Sequence, residues 1–238
     1  MDQLLVALDV DGAARALDLA DRLRGLVGGF KIGSRLFTAE GPSIVRRLVE
    51  RGDRVFLDLK FHDIPNTVAG AAAEATKLGV WMLNVHASGG QAMMKAARDA
   101  AAEAAARAGL RAPLLIAVTA LTSLDDHVLQ DIGVSRPMAA HVLALAAGAE
   151  KAGLDGVVAS PWEIGALRAR FGGRFVLVIP GIRGNTSEGA GAFDDQRRTL
   201  SAREALDAGA SYIVVGRPII AAPDPCAAAE RLVAAAGQ

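Results

Sequence analysis

The sequence predicts an α/β protein built as one (β/α)8 TIM barrel, a single domain over residues 1–238. Three observations carry that expectation. Eight short runs rich in Val, Ile and Leu recur along the chain, and runs that are apolar throughout belong to strands buried on both faces, as in parallel sheets. Stretches rich in Ala and Leu with helical spacing lie between most of them, supplying the helices that must cover such a sheet. No change of composition marks a linker, and eight strand-helix units match the usual size of a barrel. An open doubly wound sheet is the alternative. Its dinucleotide-binding form is disfavoured, because Asp9-Val10-Asp11-Gly12 rather than G-x-G-x-x-G follows the first run.

Taken in order, a strand over 4–8 (LLVAL) runs into a helix over 13–26, and a strand over 29–32 precedes a helix over 41–51. The strand over 54–59 ends in a polar cluster. Ile64-Pro65-Asn66 then reads as a turn and helix start, with Asn66 or Thr67 capping a helix over 67–78. A strand over 81–86 leads to a helix over 91–108, whose KAARDAAAEAAARAG is dense in the best helix former and places Met93 and Met94 as core packing. Strands over 114–118 and 156–159 are followed by helices over 137–152 and 161–171. After a strand over 175–179 comes GNTSEGAGAFDDQRR, residues 184–198, Gly-rich and charged without apolar periodicity. Long connections of this kind are usually lids or binding loops, and its Gly184, Gly189 and Gly191 would let it move. A helix over 201–208, a strand over 212–215, a short helix with Pro218 as its first residue and a last helix over 225–236 complete the chain.

Composition excludes several functions. The 26 basic and 26 acidic side chains cancel, whereas a nucleic-acid binder working by counterion release needs a basic excess. One cysteine, Cys226, can form neither an internal disulfide nor a thiolate cluster, so a reducing compartment, the cytoplasm, is expected. The N-terminus carries acids where a secretory leader would be basic, and no apolar run reaches the ~18–20 residues of a membrane span.

In a barrel of this kind chemistry sits where the strands end. Asp9, Lys31, the run Asp58 to Asp63, Asn84 with His86, Thr119 with Thr122, Arg183 and Gly216-Arg217 all fall at expected strand ends. DLKFHDIPNT, residues 58–67, is the densest cluster. Alternation along a strand aims Asp58 and Lys60 the same way. Lys60 between two acids would keep its proton, which suits a proton donor better than a Schiff-base nucleophile. An ion pair closing the barrel mouth is the structural alternative, and for Thr67 alone helix capping is the expected role. Loops after the last two strands, with a helix start, form the common phosphate site of these barrels. Gly216, Arg217 and Arg183 therefore point to a phosphorylated ligand, although Arg183 alone reads equally well as a solvated rim residue. His62 and His86 read as hydrogen-bonding structural groups, while His127 and His141 fall on surface or helical segments.

These residues resemble the orotidine 5'-phosphate decarboxylase family over essentially the whole chain. The resemblance rests on DLKFHDIPNT together with LDV at Asp9, FKIG at Lys31, LTS at residues 121–123, PGIR at 180–183 and VGRPI at 215–219. It implies a homodimeric barrel that decarboxylates orotidine 5'-phosphate to UMP and CO2 without a metal or organic cofactor. On the matching positions it implies a charged network of Lys31, Asp58, Lys60 and Asp63, with Lys60 protonating C6 and with Asp63 and Thr67 supplied by the partner subunit. Asp9 and Lys31 would contact the ribose, Thr122 the pyrimidine, and Gln196, Gly216 and Arg217 the phosphate, with Arg183 nearby. Spacing alone leaves Thr119 and Thr122 equivalent; the LTS match favours Thr122. A metal-dependent sugar-acid-phosphate decarboxylase, a Schiff-base aldolase and a non-catalytic nucleotide-binding barrel are the competing functions. The FHDIPNT continuation favours the orotidine enzyme over all three.

Overall fold

The computed structural model describes residues 1–183 and 200–237. Its parallel strands are β1 (Leu4–Ala7), β2 (Gly29–Gly33), β3 (Val55–Phe61), β4 (Met82–His86), β5 (Leu114–Val118), β6 (Gly156–Val158) and β7 (Val176–Ile179). A short pair, β8 (Ile182–Arg183) with β9 (Leu200–Ser201), precedes the last strand, β10 (Tyr212–Val215). Pairing of β10 with both β7 and β1 closes eight strands into a barrel, in the order β1-β10-β7-β6-β5-β4-β3-β2. All eight expected strands are present. The β8-β9 pair, two residues on each side, is too short to leave an apolar run in the sequence.

Alternation divides the strands' side chains into two cores. Leu5, Ala7, Phe56, Met82, Ile116, Val178 and Val214 pack together, so these residues of six strands fill the barrel interior. Their neighbours Leu4, Val6, Phe30, Ile32, Leu57 and Leu83 point outward into the layer shared with the helices. Below the interior plug, the Arg54 guanidinium lies 3.8 Å from the Trp81 ring centroid and Tyr212 packs edge-on to Trp81. Above it the same inward positions turn polar: two residues past Ala7, Phe56 and Met82 stand Asp9, Asp58 and Asn84. The site is the polar top of an apolar column.

The helices are α1 (Ala13–Leu23), α2 (Ser34–Glu40), α3 (Pro42–Glu50), α4 (Pro65–Lys77), α5 (Gly90–Ala108), α6 (Asp126–Asp131), α7 (Met138–Lys151), α8 (Ile164–Phe171), α9 (Ala202–Asp207), α10 (Arg217–Ile220) and α11 (Pro225–Gly237). Among the described residues none is long and apolar enough to cross a membrane. Met93 and Met94 are buried in the α5 interface. Several expected boundaries move. Helix α1 stops at Leu23 rather than 26, where Arg24 turns to extended ψ and its guanidinium donates to both carboxylate oxygens of Asp53 at 2.9 and 2.8 Å. Neither Asn66 nor Thr67 caps α4. Ile64 flanks it and Pro65 is its first residue, where a missing N–H costs nothing; Thr67 is then the third residue. Pro218 is the second residue of α10, not the first. Two helices, α2 and α6, were not expected. α2 follows Gly33 directly, is separated from α3 by Gly41 at φ +64°, and is too short for a periodic signal. α6 is capped by Asp125, whose carboxylate accepts from the Val128 N–H at 3.0 Å.

Candidate active site

At the polar end of the column four charges form a chain. Lys31 Nζ lies 3.2 Å from Asp9 Oδ1 and 3.4 Å from Asp58 Oδ2, and Lys60 Nζ donates to Asp58 Oδ1 at 2.7 Å. Exposure rises outward. The Lys31 and Asp58 side chains keep 10% and 12% of their surface, Lys60 36% and Asp9 47%, so the inner pair is desolvated while the Lys60 ammonium faces the mouth. A buried pair is stable only when its remaining bonding capacity is met. Here the neutral donor is Asn84, fully buried on β4, whose Nδ2 donates to Asp58 Oδ1 at 2.7 Å.

Simple alternation does not account for the Asp58-Lys60 contact. Leu57 pairs with Leu83 and Phe61 with Val85, so Asp58, Leu59 and Lys60 stand opposite Asn84 alone. The strand is bulged there, and Lys60 has φ +54°, the one non-glycine residue with positive φ among the described residues. The bulge removes the main-chain partner of Lys60, and Asn84 Oδ1 takes its place, accepting the Lys60 N–H at 2.8 Å. Strained backbone of this kind persists where surrounding contacts over-determine it.

Gly33 is a second residue without an expected role. A Cβ built on it would lie 2.8 Å from Lys31 Nζ and 3.1 Å from Asp9 Oδ1, so the ammonium crosses this residue in the space a side chain would fill. The tip of a lysine can swing away, so Gly33→Ala should leave the melting temperature within a few degrees and cut turnover by about tenfold or more. Turnover within a factor of two of the parent would show that the Lys31 position is unimportant.

The other expected residues divide clearly. Thr119 is buried, and its hydroxyl donates to the Val158 carbonyl at 3.0 Å. Thr122 stands half-exposed in the turn beyond β5. Gly216 flanks α10 and Arg217, its first residue, is exposed; a Cβ on Gly216 would meet Ala7 and Asp9 only at 3.5 to 4.0 Å, ordinary contact. The protein's own packing therefore does not demand glycine there. Asp63 remains outside the charge chain within one protomer: its carboxylate accepts from the Ile64 N–H at 2.6 Å, and it makes no ion pair among the described residues. It belongs to a run of exposed residues, 62–67, that includes Thr67. Ile64 in that run is 66% exposed and Leu121, on the β5 loop, 41%. Arg183 ends β8 with its backbone paired to Ser201; its side chain lies outside the described part of the structure. Gln196 and the whole 184–198 stretch lie outside the described residues, as do Asp194 and Asp195 within it.

His62 and His86 stack with ring centroids 5.2 Å apart, and His86 Nδ1 shares a 2.7 Å hydrogen bond with the Ser88 hydroxyl. Burial, then the nearby His62 and Lys60, lowers the His86 pKa below the ordinary imidazole range. Its protonation therefore favours the unfolded chain: the group is neutral in both states at higher pH, and stability is lost as pH falls through the unfolded range. An NMR titration of the His86 ring should give a midpoint below that of a free imidazole measured alongside; one at or above it would contradict the half-buried, neutral role.

Comparison with known proteins gives one consistent result. The model of the orotidine 5'-phosphate decarboxylase / HUMPS family matches residues 2–232. The chain is 54% identical over 234 residues to the orotidine 5'-phosphate decarboxylase of Moorella thermoacetica, covering 98% of this chain and 91% of that protein. It is 51% identical over 231 residues to the enzyme of that name from Syntrophotalea carbinolica, with 97% and 93% covered. Among solved structures, orotidine 5'-phosphate decarboxylase from Lactobacillus acidophilus superposes with a TM-score of 0.86 at 38% identity over 100% of both chains.

Proposed function

The chain belongs to the orotidine 5'-phosphate decarboxylase / HUMPS family, and from that premise we propose that it converts orotidine 5'-phosphate to UMP and CO2, the last step of de novo pyrimidine synthesis, with neither metal nor organic cofactor. One observation carries the reading: the Asp9-Lys31-Asp58-Lys60 chain at the barrel mouth, with the Lys60 ammonium at its open end.

Breaking the C6–CO2 bond leaves the electron pair on C6 of the pyrimidine, where no adjacent π-system can spread it. The barrier falls only if positive charge already waits at that carbon. Lys60 supplies it. As CO2 departs, the ammonium stabilises the developing carbanion and then transfers a proton to C6, leaving an amine that water reprotonates. Asp58 holds the ammonium in place and lies beside the substrate carboxylate, whose charge leaves with CO2. Lys31 and Asp9 grip the ribose hydroxyls, Thr122 the pyrimidine edge, and Arg217, Arg183, Gln196 and the Gly216 backbone the phosphate. Gly216 suits that role because its missing side chain leaves room that the protein does not use.

The active unit is a homodimer in which Asp63 and Thr67 of each subunit complete the other's site. Their place on an exposed run beside Ile64, together with the absence of Asp63 from its own chain's network, supports this arrangement. The single cysteine fits a reducing cytoplasm.

The test is ultraviolet absorbance of the purified protein with orotidine 5'-phosphate in excess chelator. Conversion to UMP is expected. Activity abolished by chelator would move the assignment to a metal-dependent relative, and UMP binding without conversion would make the protein a nucleotide-binding barrel.

A further inference from the structure

The charge chain depends on a residue that carries no charge. Across the bulge, one amide side chain reaches both functional residues of β3. Asn84 Oδ1 accepts the Lys60 N–H at 2.8 Å, and Asn84 Nδ2 donates to Asp58 Oδ1 at 2.7 Å. That same Asp58 oxygen accepts from Lys60 Nζ at 2.7 Å, so backbone, carboxylate and ammonium are tied through a single group. The amide is fully buried, which makes both bonds obligatory: a lost partner would be left without water to replace it. A carboxylate or an alkyl group at this position could not serve both neighbours at neutral pH, since one demands an acceptor and the other a donor, and a serine hydroxyl, though it can donate and accept, is too short to reach both.

We propose that Asn84 is a positioning residue for the decarboxylation, holding Lys60 at its positive φ and orienting the Asp58 carboxylate between the two ammonium groups. The inference rests on the reading of Lys60 and Asp58 as the reacting pair. The charged and titratable groups around Asn84 are Asp58 and Lys60 on β3, Lys31 on β2 beyond Asp58, and His86 two residues along β4 with its stacked partner His62. From the other side β5 opposes it with the apolar Ile116.

Asn84→Asp tests this, because the variant keeps the shape and the acceptor. When ionised it loses the donor and sets a like charge against Asp58. When protonated its O–H restores the donor. At about pH 8, kcat should fall by about 100-fold, while UMP affinity, which depends on the phosphate and ribose contacts, stays within about threefold. Lowering the pH to about 5.5 should narrow the gap to the parent enzyme as the new carboxyl takes up its proton. Turnover within about threefold of the parent at pH 8, a deficit that is the same at every pH, or UMP affinity lost in step with kcat would overturn the proposal. Should Asn84→Asp fail to fold, Asn84→Ser, whose hydroxyl is too short to bridge both groups, is expected to show the kcat loss with UMP affinity kept; unchanged kcat in that variant overturns the proposal equally. The parent chain is the reference arm. Its own failure to convert orotidine 5'-phosphate would overturn the decarboxylase reading and this inference with it, whereas an active parent with an indifferent Asn84 would remove the positioning role alone.

Discussion

Lys60→Ala should lower kcat by about 10⁴-fold or more while UMP affinity changes by only a fewfold. The size follows from the two effects proposed for the one ammonium. Electrostatic stabilisation of a developing charge by a single pre-positioned group contributes about 10²- to 10³-fold, and positioned proton transfer about 10²- to 10⁴-fold. Removing the side chain removes both. It also leaves the Asp58 carboxylate with Asn84 and Lys31 but without its shortest ion pair. UMP should still bind, because the phosphate and ribose contacts proposed above lie on other residues. Lys60→Arg separates the two effects: the charge persists, but a guanidinium gives up its proton far less readily and cannot reproduce the compact ammonium at the end of the chain. That variant should also be severely impaired. Residual turnover within about tenfold of the parent in Lys60→Ala would exclude Lys60 as the proton donor.

Mixing two inactive proteins should restore activity. If Asp63 serves the partner's site, a heterodimer of a Lys60→Ala subunit with an Asp63→Ala subunit contains one site lacking both residues and one site with both intact. Random reassortment of equal amounts makes half the dimers mixed, so about a quarter of the parent's sites should work. The measurement is turnover after subunit exchange, with the heterodimer confirmed by differential tagging. Confirmed heterodimers with no regained activity would show that Asp63 acts within its own chain or not at all. The exposure of residues 62–67 gives the expectation its physical basis: an aspartate, a threonine and the apolar Ile64 stand together at the rim, and among the described residues the carboxylate has no partner beyond the adjacent backbone.

The barrel was legible because a parallel strand covered on both faces must be apolar throughout, and eight such runs survive any uncertainty about their ends. Much of the site was legible for a related reason. Charged residues at the ends of buried strands are costly unless they meet one another, so Asp9, Lys31, Asp58 and Lys60 signalled a meeting point. Short helices were not: α2 and α6 have seven and six residues, too few for periodicity to separate them from loops. The α4 start was misplaced because Asn66 and Thr67 are good capping residues, yet Pro65 before them already fits the first helical turn.

Local chemistry along the chain thus decided which strands form and which charged groups are available, since burial and alternation act on near neighbours. How those groups meet was decided only by the closed barrel. The partner of Asp58 and Lys60 is Asn84, 26 and 24 residues away on the next strand, and it matters because a bulge leaves the Lys60 N–H unpaired beside it. Gly33 acquires its role from a lysine tip folded back across it. Thr119 and Thr122, equivalent by spacing, part company because the first lies against the Val158 carbonyl and the second in an open turn. Each of these facts is a distance between atoms brought together by closure of the sheet, and no pattern within one strand records it.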